Sequence, residues 1–219
     1  MSIFDQESKF VRGLNLFTDL FIVNILTEIG LSPFFAALLI LSGSIKAEPL
    51  VTAFSLLGIF AGVPYTALHY CVSRLARGEE GYAFKSFFKA CKENFKQSLI
   101  IGAVFFLIFG VLILDIGILK ANGYIIPAVV CFFVFLLAYM AFLYAFALQA
   151  RYYNPIKQTL KNSILHAILH FPRTVGMMLV HLAAALLLYF FSAYVLFFMI
   201  VVGFALIAYV RALIYVKVL

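Results

Sequence analysis

The chain has 219 residues, of which 66% are hydrophobic and only 11% are charged. A soluble domain of this size has roughly 45–50% apolar and about 25% charged residues. So few charges cannot cover a water-exposed surface, so the composition excludes an ordinary soluble protein and predicts an integral membrane protein. The net charge of +7 comes mostly from basic residues beside apolar stretches. We therefore expect anionic lipid headgroups of the bilayer, and no nucleic acid, as partners.

Apolar stretches that are long enough to cross a bilayer follow one another along the chain. A helix needs about 20 apolar residues to cross a hydrocarbon core of ~30 Å. The sequence predicts spans over residues 18–41, 50–72, 98–119 and 124–149. Pro33 should kink or split the first of them. The stretch 174–216 is about twice the length that one span needs, so we predict a turn near Ser192 and two further spans, 174–191 and 194–215.

The distribution of Lys and Arg predicts the orientation of the spans. The loop 74–96 carries six Lys or Arg and the loop 151–173 carries four, whereas the loops 43–49 and 120–123 carry one each. Basic residues concentrate in cytoplasmic loops. Six spans with both the N- and C-termini in the cytoplasm place both basic loops inside, whereas five spans would put Arg211 and Lys217 outside. We predict an all-α, multi-pass bundle that forms one transmembrane domain over residues 1–219, with cytoplasmic amphipathic helices at 83–97 and 155–171.

The first basic loop has the pattern of an amphipathic helix. Its apolar residues recur at helical spacing as one stripe and its lysines occupy the neighbouring face. The residues are Phe84, Phe87, Phe88, Cys91 and Phe95, with Lys85, Lys89, Lys92 and Lys96. Such a helix suits the inner leaflet, with aromatic rings at the acyl boundary and ammonium groups among phosphates. Two alternatives remain: the stripe packs on the protein's own span ends, or it docks a partner or senses lipid.

Two sequence patches resemble the YesL-like family of bacterial membrane proteins. The first consists of Arg77-Gly78-Glu79-Glu80-Gly81-Tyr82, Phe87-Phe88-Lys89 and Glu93-Asn94-Phe95-Lys96-Gln97. The second consists of Ala150-Arg151-Tyr152, Lys157-Gln158-Thr159-Leu160-Lys161-Asn162 and Phe171-Pro172-Arg173-Thr174. An insertion that includes Lys46-Ala47-Glu48-Pro49 departs from the family pattern. The resemblance implies a bacterial plasma-membrane protein whose relatives often belong to carbohydrate-utilisation systems beside sugar importers, and it brings no known catalytic residues.

One carboxylate falls in the middle of a predicted span. Glu28 lies at mid-membrane depth in the first span, where a carboxylate is costly unless it faces protein or water. Asn24 lies one turn earlier on the same face, and His181 of the fifth span should have a similar depth. We predict that Glu28 pairs with His181 or with a tyrosine hydroxyl inside the bundle. The three residues form either a site for a substrate or proton, or a hydrogen-bonded contact that only fixes helix packing.

Motifs for catalysis or metal binding are not found in the sequence. It contains no GxxxxGK[ST], HExxH or GxSxG pattern. His166 and His170 share a helix face, but no Asp, Glu or Cys accompanies them, so we expect neither a metal site nor a cofactor. Gly58 and Gly62 form a GxxxG pattern in the second span, for which packing within the chain and dimerisation are the alternatives.

These features leave two classes of function, neither of them enzymatic. In the first, the chain is an accessory or interaction protein of the plasma membrane. Its basic helices would then dock on lipid headgroups or, as the resemblance implies, on subunits of a carbohydrate ABC importer. In the second, it is a small transporter or channel for a polar solute, which uses Glu28 inside the membrane.

Overall fold

The computed structural model describes the backbone of residues 3–42, 47–79 and 82–219, and the side chains of 10–36, 49–79, 82–191 and 194–219. Lys46 of the predicted loop, and Glu80 and Gly81 of the first sequence patch, lie outside the described residues. The described elements are all helical. In chain order they are α1 (Ile3–Ser42), α2 (Ala47–Ala76), α3 (Ala83–Ala121), α4 (Ile125–Arg151), α5 (Ile156–Leu169), α6 (Phe171–Phe190), α7 (Ser192–Phe198), a π-helix (Met199–Gly203) and α8 (Phe204–Tyr215).

Six helical stretches are long and apolar enough to cross a membrane. They cover residues 10–36, 49–76, 83–121, 125–151, 171–190 and 194–215. The predicted all-α, multi-pass membrane fold is therefore confirmed. α6 ends at Phe190 and α7 begins at Ser192, where the sequence places the last turn. α1 continues through Pro33, so this proline does not split the first span.

The helix α3 corrects one sequence-based prediction. The predicted amphipathic helix 83–97 is not a separate element but the first part of α3, which continues without a break to Ala121. No Gly or Pro interrupts the chain between Ala83 and Ile101, so nothing ends the helix before the apolar span begins. With 39 residues and a rise of ~1.5 Å per residue, α3 is much longer than a ~30 Å hydrocarbon core. Its lysine-rich first part therefore projects beyond the apolar layer.

The backbones of α2 and α3 lie close together. A Cβ atom on Gly62 would lie 2.4 Å from the backbone oxygen of Ser98, and one on Gly102 would lie 2.7 Å from the backbone oxygen of Ile59. Neither position has room for a side chain, as in other close helix pairs in membranes. A Cβ atom on Gly58 would likewise meet the ring of Phe106 in α3. The GxxxG pattern therefore packs within the chain.

The core lies where α1, α2, α4 and α8 meet. Val23, Ala67, Tyr144 and Ala212 are buried there. At one end of this bundle, α2 and α4 finish and α3 begins, and this end carries Arg74, Arg77, Lys89 and Arg151. We call it the basic end. Because the two basic loops of the sequence meet here, it is the natural place to look for a binding site.

Candidate functional site

Asn24 supports an irregular turn in the last span. Its Nδ2 atom donates to the backbone oxygens of Met199, at 3.1 Å, and Ile200, at 2.9 Å. Its Oδ1 atom accepts a hydrogen bond from the backbone N–H of Ala205 at 2.9 Å. A π-helical turn interrupts the regular backbone pairing of an α-helix, and lipid cannot satisfy the groups left over. The buried amide of Asn24 is therefore engaged by the fold.

Glu28 does not pair with His181 among the described hydrogen bonds. The carboxylate is half-buried and accepts a hydrogen bond from Nδ2 of Asn24 at 3.1 Å. His181 instead bonds to the backbone oxygen of Met177 at 3.1 Å, and its Nε2 atom lies 3.4 Å from Nη1 of Arg211 in α8. The predicted pair with His181 is therefore not formed: Glu28 contacts Asn24, one turn away on the same helix face, and Nδ2 of Asn24 shares its two hydrogens among Glu28, Met199 and Ile200. The structure thus brings together two of the three predicted solute ligands, and their role in binding a solute stays a prediction.

A buried arginine lies among polar groups inside the bundle. Arg211 is only 1% exposed. Its Nη1 atom donates to the hydroxyl of Tyr65 at 2.7 Å, and its Nη2 atom donates to the backbone oxygen of Leu143 at 2.9 Å. Nε2 of His181 lies 3.4 Å from Nη1, and no described residue is a hydrogen-bond partner of the Nε atom of Arg211. The salt bridges between described residues do not include Arg211. An intramembrane cation without a counter-charge is costly, which makes it a functional-site candidate.

Further polar groups connect Arg211 to the basic end. Nδ1 of His69 lies 3.0 Å from the hydroxyl of Tyr215, and that hydroxyl lies 2.8 Å from Oγ of Ser73. The ring of His69 packs edge-on against Tyr65, with 4.7 Å between centroids. Nε2 of His69 has no hydrogen-bond partner in the part of the chain that the structure describes. We call the series Ser73, Tyr215, His69, Tyr65 and Arg211 the polar chain; it crosses the core from the end of α2.

An open pocket lies at the basic end, where the polar chain begins. Its volume is about 360 Å³. We call it the basic pocket. Its charged lining residues and one serine are Ser73, Arg74, Arg77, Glu79, Lys89 and Arg151. Among the described residues that line the pocket, four cations therefore face one carboxylate. Residues far apart in the sequence converge because the ends of α2 and α4 meet the start of α3.

Glu79 is held between two guanidinium groups. Its carboxylate oxygens lie 2.5 Å from Nε of Arg77 and 3.0 Å from Nε of Arg74. The hydrogen bond from Arg77 is the main reason why the pKa of Glu79 is lowered, and Arg74 adds to it. Arg74 also donates from Nη1 to Oγ of Ser86 at 3.0 Å. This arrangement fixes the end of α2 against the start of α3, and it places anionic oxygen against the two arginines.

The predicted Phe stripe of α3 divides between two environments. Phe87 is 3% exposed, whereas Phe84 is 59% and Phe88 and Phe95 are each 51% exposed. Phe87 shares the inward face with Ala83 and Ala90, which are also buried. The stripe thus divides between the two predicted alternatives: Phe87 packs on the protein's own spans, whereas the other three phenylalanines stay exposed. We call the outward face the Phe/Lys surface; it consists of Phe84, Phe88 and Phe95 with the exposed Lys85, Lys92 and Lys96.

A buried glutamine joins the two sequence patches. Nε2 of Gln149 donates to Oδ1 of Asn94 at 3.1 Å and to Oε1 of Gln97. Its Oε1 atom accepts a hydrogen bond from Thr159 at 3.4 Å. Gln97 in turn donates to the backbone oxygen of Asn154 at 3.3 Å. The patches thus meet in one hydrogen-bonded network near the basic end, and this network positions α5 against α3 and α4.

Among the described residues, no three His, Cys, Asp or Glu side chains are placed to hold a metal ion together. His166 stacks on Tyr144 and lies beside His170, with ring centroids 5.9 Å and 5.5 Å away. What the described basic end offers chemically is positive charge and hydroxyl donors. Groups of this kind bind and orient anions.

Comparison with known proteins assigns the first half of this architecture to a family. A family model described as "Protein of unknown function, DUF624" matches residues 13–116. The match runs from α1 through α2 into α3, so it includes Asn24, Glu28, His69 and the Phe/Lys surface, but not Arg211. No curated protein and no solved structure matches the chain. DUF624 is the family also known as YesL, so the match over residues 13–116 agrees with the resemblance of the first sequence patch to that family.

Proposed function

We propose that the chain is a non-enzymatic accessory protein of the bacterial plasma membrane, which docks on a membrane-embedded partner through the Phe/Lys surface. The observation that carries the proposal is the exposure of Phe84, Phe88 and Phe95 on a helix that extends beyond the apolar layer. Burying one such ring stabilises a contact by roughly 1.5–3 kcal/mol. Exposed aromatic clusters of this kind mark interaction sites.

The proposal also gives the basic end an orientation. We propose that it faces the cytoplasm, with both termini on that side, because the Lys and Arg residues concentrate there. In this orientation the lysines nearest the membrane lie among anionic headgroups, and each contributes about 1 kcal/mol of attraction.

The continuity of α3 favours a protein partner for the phenylalanines. A separate amphipathic helix could lie flat in the headgroup layer with its rings in the acyl region. The segment 83–97 instead continues the axis of a span, so its first turns are lifted away from the acyl chains. Phe84 and Phe88, whose rings pack 4.9 Å apart, then require a protein surface to cover them. The lysines beside them select an acidic surface, and the family resemblance makes subunits of a carbohydrate ABC importer the first partner to test.

Co-purification from native membranes tests this proposal. One variant replaces Phe84, Phe88 and Phe95 with serine. A matched control replaces Ile164, Leu165 and Ile168, which are equally exposed but lie on α5. We expect the unchanged chain and the α5 control to retain the same partner subunits and the Phe variant to lose them. Equal recovery of partners by all three proteins would contradict the proposal.

A site for a polar solute inside the bundle is the second candidate. The observation that favours it is the buried Arg211, which lies within 3.4 Å of His181 and donates to Tyr65. If the chain is such a transporter or channel, the solute is anionic and Arg211 binds it. Glu28 would then act as the intramembrane carboxylate that the sequence predicts for this function. Flux into proteoliposomes tests the candidate: loss of flux with Arg211→Met would support it, and loss with Glu28→Gln would support the role of Glu28. No saturable flux of an anionic solute by the unchanged protein would exclude it.

A further inference from the structure

We propose that the basic pocket binds a phosphomonoester group, carried either by a small soluble ligand or by a lipid headgroup. The pocket lies beside, and not on, the Phe/Lys surface, so the proposal is independent of partner docking. Its cations come from three helices: Arg74 and Arg77 from the end of α2, Lys89 from α3 and Arg151 from the last turn of α4.

The size of the pocket fits a phosphate with a small group attached. Its volume of about 360 Å³ lies at the lower end of the ~300–1,000 Å³ range of ligand sites. A bare phosphate would leave much of this space empty. A phosphomonoester of a polyol or sugar would fill it, with the hydroxyl groups of the ligand beside Ser73 and Tyr70, which also line the pocket.

The charges in the pocket are only partly neutralised. Glu79 bridges Arg74 and Arg77. Lys89 lies 3.9 Å from the carboxylate of Glu93, and both side chains are more than half exposed, so this ion pair is weak. Arg151 lies over the ring of Tyr152 at 5.4 Å, and the salt bridges between described residues do not include it. Lys89 and Arg151 are therefore the cations that we expect a phosphate to contact first.

The lining of the pocket also contains a neutral hydroxyl group. Ser73 lines the pocket, and its Oγ atom lies 2.8 Å from the hydroxyl of Tyr215. Tyr215 is held in turn by His69. Because these hydrogen bonds already hold the hydroxyl of Ser73 in place, it does not need to reorganise when a ligand binds, which favours affinity. Phosphate oxygens accept from guanidinium, ammonium and hydroxyl donors, which are the groups that this pocket presents.

Calorimetric titration of the purified protein in nanodiscs of zwitterionic lipid tests the proposal. The soluble probes are inorganic phosphate and glycerol 3-phosphate, and chloride at equal ionic strength controls for screening. We expect saturable binding of glycerol 3-phosphate. Arg151→Gln and Lys89→Gln should each weaken it about tenfold, because each removes a charge-assisted hydrogen bond. Glu79→Gln should strengthen binding, because it removes the carboxylate that competes for Arg74 and Arg77.

Lys92→Gln is the matched control, since Lys92 is an exposed lysine on α3 that does not line the pocket. A second arm repeats the titration with glycerol 3-phosphate in nanodiscs that contain phosphatidic acid. If these discs abolish binding of the soluble ester in the unchanged protein but not in Arg151→Gln, the pocket takes a lipid phosphate and the proposal stands. Absence of binding in both arms would overturn it, as would equal weakening by Lys89→Gln and Lys92→Gln.

Discussion

Nη1 of Arg211, in the last span, donates a hydrogen bond of 2.7 Å to the hydroxyl of Tyr65 in the second span. The partners of this buried cation are a phenol, a backbone oxygen and an imidazole. These partners orient the guanidinium without neutralising it. A residue held in this way is expected to reduce the stability of the fold, so we infer that Arg211 is kept for a function.

Replacing Arg211 tests this inference. We expect Arg211→Met to be as stable as the unchanged protein or more stable, by up to ~4 kcal/mol, because the substitution removes an uncompensated buried charge. Unfolding in detergent, followed by circular dichroism, measures the difference. Lys217→Met, which removes an exposed cation near the same end, should change stability little. A large loss of stability in Arg211→Met alone would make Arg211 a structural residue.

Asn24→Ala should destabilise the last span. The substitution removes the donor to Met199 and Ile200 and the acceptor for Ala205. Each buried backbone group left unsatisfied costs about 1–3 kcal/mol. Hydrogen exchange of residues 199–205 should therefore speed up and the thermal midpoint should fall. Asn15→Ala, at an exposed position of the same helix, provides the control. Similar midpoints for the two variants would mean that Asn24 does not hold the π-helical turn.

Gly62→Ala should weaken the contact between α2 and α3. The new methyl group would lie 2.4 Å from the backbone oxygen of Ser98, so the helices must move apart. We expect a loss of about 1–3 kcal/mol, as for other overpacked sites, seen as a lower thermal midpoint. Gly117→Ala adds the same methyl group to α3 where nothing lies within 4 Å. It should be neutral or slightly stabilising, because alanine is the better helix former. A stable Gly62→Ala protein would be incompatible with the close approach.

His166 predicts a modest sensitivity to acid. Burial and the adjacent His170 lower its pKa below the ordinary value of 6.5, so the folded protein favours the neutral imidazole. The stabilisation is complete above pH 6.5 and is lost as the pH falls through and below that value, because the unfolded chain then binds a proton more readily. We expect a smaller fall of the thermal midpoint between about pH 7.5 and about pH 5.5 in His166→Gln than in the unchanged protein. Identical pH profiles would show that His166 titrates normally.

The six spans could be predicted because a bilayer imposes its thickness on every helix that crosses it. Runs of about 20 apolar residues appear in the sequence as directly as basic residues do at their ends. The turn beside Ser192 followed from length alone. The end of a helix outside the membrane has no such constraint, so the sequence pattern could not distinguish a separate helix at 83–97 from the first part of α3.

The buried cluster of His69, His181 and Arg211 could not be predicted because its members come from distant parts of the chain. His69, His181 and Arg211 lie in three different spans and meet only through tertiary packing. A signal was present: each is a strongly polar residue inside an apolar run. Glu28 was a candidate for the same reason, but the described hydrogen bond to its carboxylate comes from Asn24, one turn away. Asn24 also supports the π-helical turn, which no sequence pattern predicts.

We propose that the chain docks on a protein partner through the Phe/Lys surface. Site-specific photo-crosslinking in native membranes tests this docking role most directly. A photoreactive amino acid would replace Phe88, and a control would place it at Leu165, an equally exposed position on α5. We expect a discrete protein adduct from position 88, reduced when Lys85 and Lys92 are replaced by glutamate, and no such adduct from position 165. Lipid adducts alone at position 88, or the same protein adducts from both positions, would contradict it.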